Sequence, residues 1–352
     1  MFDIIVGTRP NFIKAAPLIR EFNKNKDSNY RLIHTGQHYS SNMSEEIFRD
    51  LELPKPSVYL QSSGTNRADV FADIVSKYQR LISETMRPSA VIVFGDVTST
   101  VATAMTANML ELPIYHIEAG LRSFDRTMPE EINRIITDQI SDRHYVSEPS
   151  GLVNLDREHV SSDRILHVGN IMIDSLVFNQ PKITGIPRKQ QEEFVLVTLH
   201  RPSNVDSHDK LLSILKELNK LSDDIDILFP VHPRTNNVIS DLGEKIKLSP
   251  NIYLLEAQRY LNFMALLRDA SYVITDSGGI QEETSFMNKP CYTLRDNTER
   301  PITIDEGTNQ LITVRDIENT YVSFSETSWP ADTHIPLWDG KTAERIYTDL
   351  LS

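Results

Sequence analysis

The sequence TDSGGIQEE at residues 275–283 decides the fold class. It follows an apolar, β-rich run and precedes a segment of helical character, so it predicts a strand–turn–helix. Gly278 and Gly279 allow backbone amides to approach a ligand closely, and a helix N-terminus favours a phosphate group. The acids behind them, Glu282 and Glu283, would repel phosphate, and we expect them to accept hydrogen bonds from hydroxyls such as a ribose diol. The stretch therefore predicts a nucleotide diphosphate site with a sugar-binding carboxylate beside it.

Short β-rich runs alternate with helical patterns along most of the chain, which predicts parallel sheets and an α/β fold. The polar stretch 179–193 divides these runs into two sets and is the best candidate for a linker. We therefore expect two doubly wound domains of similar size, 1–175 and 176–338, followed by a last amphipathic helix. The predicted strands are 3–7, 30–35, 90–95, 114–118, 143–147 and 165–168 in the first set, and 194–200, 225–231, 252–255, 271–275 and 290–294 in the second.

The composition of the chain argues against some classes of binding partner. The 352 residues include 49 acids and 36 bases, for a net charge of -13, which argues against nucleic acid and anionic membranes as partners. Any bound phosphate then needs a local cluster of basic groups. The single cysteine, Cys291, excludes an internal disulfide and a cysteine-rich zinc site. The N-terminal residues lack the pattern of a signal peptide, and no apolar run has the length of a membrane span, so we expect a cytoplasmic protein.

Polar side chains follow many of the predicted strands, at the point where each strand ends. Because the carboxyl ends of parallel strands meet at one edge of a sheet, this pattern predicts a ligand-binding edge in each domain. With two such sheets facing each other, we expect the ligand in the cleft between the domains. The residues concerned are Arg9, Gly36, Gln37, His38, Asp96, Glu118, His200, His232, Asp276, Arg295 and Asp296.

The sequence GTRPNFIK at 7–14 follows the first predicted strand. Pro10 suits the first position of a helix, which predicts another strand–turn–helix. Arg9 and Lys14 are suited to supplying positive charge for a diphosphate, although a plain turn with solvated bases fits the pattern equally well. No GxGxxG fingerprint is present in the sequence, so we do not expect NAD as a cofactor.

Three carboxylates in the first half are candidates for proton transfer. Asp96 and Glu118 end predicted strands, and Glu130 lies in the acidic helix start PEEINR at 129–134. Clustered carboxylates raise one another's pKa and make effective acids and bases. Simpler interpretations stay open here: Asp96 can cap a helix, and acids in a first helical turn complement the helix dipole.

In the second half, His200 with Arg201 and His232 with Arg234 each place an imidazole beside a guanidinium at the end of a strand. Such pairs suit a pyrophosphate leaving group. Neither resembles a metal motif, so we predict no required metal. Arg300 lies in a charged loop next to the predicted phosphate site, and we expect it to contact the ligand.

These motifs, taken together, resemble the non-hydrolysing UDP-N-acetylglucosamine 2-epimerases of bacteria and archaea. The similarity extends over almost the whole chain, and the motifs occur in the order found in that family. They are GTRP at 7–10, GD at 95–96, HIEAGLR at 116–122, PEEINR at 129–134, HR at 200–201, TDSGGIQEE at 275–283 and TERP at 298–301.

The resemblance implies two Rossmann-like domains of the GT-B type, a UDP-sugar between them, a homodimer, and a C-terminal helix near 339–352 that packs back on the first domain. It implies UDP binding by Ser277, Gly278, Gly279, Arg300 and, at the ribose, Glu283. Arg9, Lys14 and His200 would face the diphosphate, and we group His232 with them as substrate-binding. We place Asp96, Glu118, Glu130 and His200 in the catalytic set.

The chemistry of the family explains this set. The C2 proton of a UDP-linked N-acetylglucosamine (UDP-GlcNAc) is not next to a carbonyl, so without NAD the feasible route is elimination of UDP to a glycal, followed by re-addition. That route needs a base, an acid on the opposite face and cations for the diphosphate. We therefore predict an isomerase that interconverts UDP-GlcNAc and UDP-N-acetylmannosamine (UDP-ManNAc), without a cofactor, for surface polysaccharide synthesis.

Several alternatives stay open at this point. They are a related UDP-sugar such as a diacetamido uronic acid, a hydrolysing 2-epimerase, against which Pro10 counts, a GT-B glycosyltransferase and a non-catalytic sensor. The sequence does not separate acid from base or Glu130 from Glu131. It also leaves open activation by a second substrate molecule, since Ser40 and Pro202 replace the glutamine and arginine of regulated relatives.

Overall fold

A computed structural model describes residues 1–25, 29–36, 41–188 and 193–352, with the side chains of 41–45 and 244 not included. Gln37, His38 and Ser40 of the sequence analysis lie outside the described residues. The chain divides into two compact units, Met1–Phe178 with Pro336–Ser352, and Asn179–Ile335.

The first unit is built on a seven-stranded parallel sheet with the strand order β3-β2-β1-β4-β5-β6-β7. Its strands are β1 (Phe2–Val6), β2 (Tyr30–His34), β3 (Val58–Tyr59), β4 (Ala90–Phe94), β5 (Ile114–Ala119), β6 (Arg143–Val146) and β7 (Ile165–His167). The helices that follow are α1 (Arg9–Lys24), α2 (Ser41–Asp50), α3 (Arg67–Glu84), α4 (Thr98–Met109), α5 (Pro129–Ile140), α6 (Pro149–Arg157) and α7 (Ile171–Gly185).

The direction of the strand order reverses between β1 and β4. In open α/β sheets, ligands bind outside the carboxyl ends of the strands at such a reversal. The segments that leave these two strands begin at Gly7 and Gly95 and carry Arg9 and Asp96. Every residue of β4 is buried, as expected for a central strand covered by helices on both faces.

The second unit repeats this plan with a six-stranded parallel sheet of order β10-β9-β8-β11-β12-β13. Its strands are β8 (Phe194–Thr198), β9 (Asp226–Pro230), β10 (Ile252–Leu255), β11 (Tyr272–Thr275), β12 (Cys291–Leu294) and β13 (Asn309–Ile312). Its helices are α8 (Pro202–Val205), α9 (His208–Leu221), α10 (Pro233–Leu242), α11 (Tyr260–Asp269), α12 (Gly278–Phe286), α13 (Ile302–Asp305) and α14 (Thr320–Glu326). The order reverses between β8 and β11, so the TDSGG turn and the segment that carries His200 leave neighbouring strands.

The last helix, α15 (Thr342–Leu350), belongs to the first unit. The ring of Tyr347 packs edge-on against Phe22 of α1, with 5.1 Å between ring centroids. The carboxylate of Asp349 accepts hydrogen bonds from Arg143 Nε at 2.8 Å and from the hydroxyl of Tyr145 at 2.9 Å. These contacts fix the helix on the end of β6.

Each strand predicted from the sequence is present, but β3 and β13 were missed. β3 has two residues, and β13 reads NQLI, with too little alternation to mark a strand. The predicted linker at 179–193 is wrong in its first half, because α7 continues through it to Gly185. Asn179 and Ile183 are buried there, and Pro181 lies within the helix. Tertiary packing therefore outweighed the local effect of the proline.

No helix in the described part of the chain is long and apolar enough to cross a membrane.

Replacing Asp349 with Asn should destabilise the first unit by about 1–2 kcal/mol at neutral pH. Burial opposes ionisation of Asp349, but the hydrogen bonds from Arg143 and Tyr145 outweigh it and lower its pKa. A depressed pKa means that the carboxylate contributes stability above the unfolded-state value of about 4. That contribution is lost as the pH falls through the lower folded-state value.

Urea unfolding of both proteins between pH 7 and pH 2.5 tests this prediction. The difference between them should shrink as the solution becomes acidic. Asp156→Asn, at an exposed position in α6, is the matched control and should change little. An equal difference between Asp349→Asn and the native chain at every pH would contradict the assigned role.

Candidate active site

Glu118 is presented by an irregular end of β5. Its φ angle is +70°, and the register between β5 and β6 shifts between Ile117 and Ala119. A bulge with a left-handed residue re-aims a side chain at the end of a strand. The prediction that Glu118 ends a strand is confirmed.

The Glu118 carboxylate pairs with the ammonium group of Lys14, from the second turn of α1. Both side chains are nearly buried, with 9% of Lys14 and 8% of Glu118 exposed. Gly95 makes room for the pair: a Cβ atom there would lie 2.9 Å from Glu118 Oε2 and 3.1 Å from Lys14 Nζ. The structure thus places Lys14, which we had expected at a diphosphate, against a candidate catalytic carboxylate.

Asp96 follows Gly95 and pairs with the guanidinium of Arg134 in α5. Its backbone carbonyl accepts a hydrogen bond from Asn133 Nδ2 at 2.7 Å. The N-cap residue of α4 is Val97, so the simpler interpretation of Asp96 as a helix cap is wrong. The first turns of α5 therefore lie against the loop that presents Asp96.

The structure separates the two acids at the start of α5. Glu131 is buried, and its carboxylate accepts hydrogen bonds from the backbone amides of Ser123 and Phe124, both at 2.9 Å, and from Arg134 at 2.7 Å. Glu131 thus fixes the loop before the helix. Glu130 is only half-buried, and it shares a helix face with the residues three and four positions on that contact Asp96. Glu130 is therefore the better candidate for chemistry.

A buried aspartate, Asp138, holds the backbone around these residues in place. Asp138 contacts His116 Nδ1 and Arg122 Nη2, both at 2.7 Å, and accepts a hydrogen bond from the Gly120 amide at 3.1 Å. Burial would raise the pKa of Asp138, but the charge and hydrogen bond of His116, with the charge of Arg122, lower it to about 2. His116 Nε2 lies 2.8 Å from the carbonyl of Gly95. The network therefore fixes the backbone on both sides of the Lys14–Glu118 pair.

In the second unit, Asp276 organises the segment that carries His200. Its buried carboxylate accepts hydrogen bonds from the amides of His200 at 3.1 Å and Arg201 at 3.0 Å, and from Asn204 Nδ2 at 3.0 Å. Burial opposes ionisation, and these donors together with the His200 ring lower the pKa of Asp276. The His200 ring lies 3.1 Å from Asp276 and keeps 56% of its side chain exposed, so it can reach a ligand.

The glycine turn lies beside Arg300, as the sequence predicted. A Cβ atom on Gly278 would lie 2.5 Å from Arg300 Nη1. Ser277 is the N-cap residue of α12 and makes no capping hydrogen bond through its side chain. Arg300 pairs with Glu282 at 2.8 Å and with Glu299. Glu282 is thus engaged with a cation, whereas we had expected it to accept from hydroxyls.

The four remaining predicted site residues each lie in a helix or at its N-terminus: Gly279, Glu283, His232 and Arg9. Gly279 lies in the first turn of α12, and Glu283, in the next turn, accepts a hydrogen bond from the hydroxyl of Tyr260 at 3.1 Å. His232 is exposed and caps α10, where its Nδ1 accepts from the amide of Arg234 at 3.3 Å. Arg9 is the first residue of α1 and is half-buried.

Sequence reasoning missed the residues that hold the site in place. Asp276 was noted as a strand end but given no role, although an acid directly after a buried strand is a recognisable signal. Asp138 and Arg134 lie within a helix and carry no local signal, since their partners are distant in the chain. No group of histidine, cysteine or acidic residues suited to a metal ion occurs among the residues that the structure describes.

The fold and these sites define two Rossmann-like, parallel-sheet domains of the GT-B type, which confirms the predicted class. Residues 20–351 match the family described as UDP-N-acetylglucosamine 2-epimerase. The chain therefore belongs to this family, and the resemblance stated from its motifs is confirmed.

Two curated relatives and one solved structure illustrate the match. The UDP-N-acetylglucosamine 2-epimerase of Methanocaldococcus jannaschii is 37% identical, over 98% of this chain and 97% of that protein. The UDP-2,3-diacetamido-2,3-dideoxy-D-glucuronate 2-epimerase of Pseudomonas aeruginosa is 38% identical, over 92% of each. A crystal structure of the M. jannaschii enzyme in complex with UDP-GlcNAc and UDP has a TM-score of 0.92 and 34% identity, covering 99% of both chains.

Replacing Gly278 with Ala should destabilise the second unit by about 1–3 kcal/mol, because the added methyl group overlaps the Arg300 guanidinium. Gly185→Ala is the matched control, since a Cβ atom there meets nothing within 4 Å. Chemical denaturation of both variants measures the effect. Equal stability of the two would show that Arg300 moves aside freely and does not fix the turn.

Proposed function

We propose that this protein is a non-hydrolysing epimerase that interconverts UDP-GlcNAc and UDP-ManNAc. The observation that carries the proposal is that Asp96 and Glu118 lie at neighbouring strand ends, with the start of α5, which carries Glu130, held against Asp96, in a chain of this family. The exchange needs proton removal and proton delivery at C2, and these carboxylates are the groups suited to both. A homodimer and a role in surface polysaccharide synthesis are further parts of the proposal.

In this mechanism, UDP leaves C1 as C2 loses its proton to one carboxylate, and a glycal forms. UDP then adds back to C1 as another group protonates C2 from the opposite face, so no atoms are gained or lost. The second unit would hold UDP: amides at the start of α12 face the diphosphate, Glu283 receives the ribose and His200 supports the leaving group. Arg9 adds positive charge from the start of α1.

A second substrate has a specific observation in its favour. The P. aeruginosa relative, named for a diacetamido uronic acid, is as similar to this chain as the relative named for UDP-GlcNAc. A uronic acid carries a carboxylate that needs a cation, and Arg9 is a candidate for it. We therefore keep this sugar as the alternative substrate of the same reaction.

Proton NMR of the purified protein with UDP-GlcNAc in D2O tests the proposal. We expect UDP-ManNAc with deuterium at C2, in a mixture that approaches equilibrium, because the proton that returns to C2 comes from solvent. Release of free UDP with ManNAc would identify a hydrolysing enzyme. Turnover of only the diacetamido uronic acid would identify the second substrate. UDP binding without turnover of either sugar would contradict an epimerase.

The control for this experiment is Asp96→Asn. It removes a carboxylate and keeps the shape of the side chain, so we expect UDP affinity close to that of the native chain and no deuterium at C2. Unchanged exchange in this variant would remove Asp96 from the catalytic set.

The two acids at the start of α5 should respond differently to neutralisation. Glu130→Gln should lower kcat by a factor of about 10²–10⁴, as expected for loss of proton transfer, with little change in stability. Glu131→Gln should instead lower the free energy of unfolding by about 1–3 kcal/mol, since buried donors lose an ionised acceptor. Steady-state kinetics and urea unfolding of both variants give the comparison. The reverse pattern would assign the chemistry to Glu131.

A further inference from the structure

We propose that Lys14 is a positioning residue that holds Glu118 in an ion pair of fixed direction, so that Glu118 is the base that takes the C2 proton. This inference rests on the proposed function. It gives Lys14 a role other than binding the diphosphate, and it assigns one of the three carboxylates to proton removal.

The first observation is the burial of the pair. Lys14 and Glu118 come from α1 and β5, and their charged ends meet where each side chain is less than one-tenth exposed. Removing one partner of an ion pair in such a place is destabilising, because the other charge is poorly hydrated there. If Lys14 turned to a bound diphosphate, it would leave the Glu118 charge in a nearly water-free position without this cation.

The second observation is that the space for the pair is defined by the backbone. Gly95 has a φ angle of +59°, and a side chain there would meet both charged ends. The Gly95 carbonyl lies 2.8 Å from His116 Nε2, and His116 is held by the buried Asp138. The backbone at Gly95 is therefore held in place, and it limits the direction of the Glu118 carboxylate.

The surrounding charges are committed to other partners. Asp96, after β4, pairs with Arg134 of α5, and Arg134 also contacts Glu131. On the other side, Asp138 of α5 contacts Arg122 and His116. Lys14 is thus a cation that the fold directs at Glu118. The pair lies at the end of the strand next to the one that Asp96 follows, and Asp96 pairs with Arg134.

The test is Lys14→Met, which keeps the length of the side chain and removes its charge. If Lys14 acts through Glu118, kcat should fall by about 10- to 100-fold, near the lower end of the range for proton transfer. KM for the UDP-sugar and the Kd of UDP should stay close to their native values. A purely structural residue would not lower kcat while leaving KM and UDP affinity unchanged.

Two further variants complete the comparison. Lys24→Met is the matched control on the same helix, because Lys24 is 66% exposed and pairs with Glu21 at the surface. It should leave kcat and KM unchanged. Lys14→Arg keeps the positive charge and should retain more activity than Lys14→Met. A loss of UDP affinity in Lys14→Met with an unchanged kcat would overturn the inference and return Lys14 to the diphosphate.

A double-mutant cycle measures the coupling between Lys14 and Glu118 from stability alone, without an activity assay. Lys14→Met should lower the urea midpoint of the native chain, and the shift should be smaller in a chain that carries Glu118→Gln, since the ion pair is already absent there. Equal shifts in both backgrounds would overturn the inference. If the native chain turned over no UDP-sugar, the proposed function would fail, while this coupling would still report on the pair.

Discussion

Two buried aspartates hold the backbone turns on which both candidate sites depend. In the first unit, Asp138 gathers His116, Arg122 and the Gly120 amide around the end of β5. In the second, Asp276 gathers the amides that follow β8. Each carboxylate accepts several donors, so each compensates for its own burial and fixes a segment that leaves a strand. The candidate site residues beside them, Glu118 and His200, are therefore held on rigid supports.

The placement of these supports follows from the sheets. Parallel strands deliver every outgoing segment to one edge, and the reversal of strand order separates neighbouring segments there. In the first unit, Arg9 and Asp96 leave adjacent strands at the reversal, and Glu118 lies on the next strand. Residues far apart in the sequence thus come to the same edge, which is why one edge collects most of the candidate site residues.

The dependence of the candidate sites on contacts between distant residues explains which features could be predicted from the sequence and which could not. Strands with apolar runs and the polar residues at their ends could be read locally, and so could the glycine turn beside Arg300. The partners of those residues could not. Lys14 looked like a phosphate ligand because its pairing with Glu118 depends on the space left by Gly95. For Asp96, a helix cap stayed open as an alternative because its partner Arg134 lies in a later helix. Pro181 looked like a linker residue because only packing reveals that α7 continues.

The same ion pairs bear on how an acidic chain could bind a diphosphate. A chain with a net charge of -13 must hold a diphosphate if the proposed function is correct, yet several cations at its sheet edges already contact carboxylates. Lys14 faces Glu118, and Arg300 faces Glu282 and Glu299. Paired cations are fixed in direction, but they offer little net charge. Under the proposed function, attraction to the ligand would then fall to the backbone amides at the start of α12, where Ser277 forms no side-chain cap. The glycines of that turn would thus be as important for binding as any basic residue.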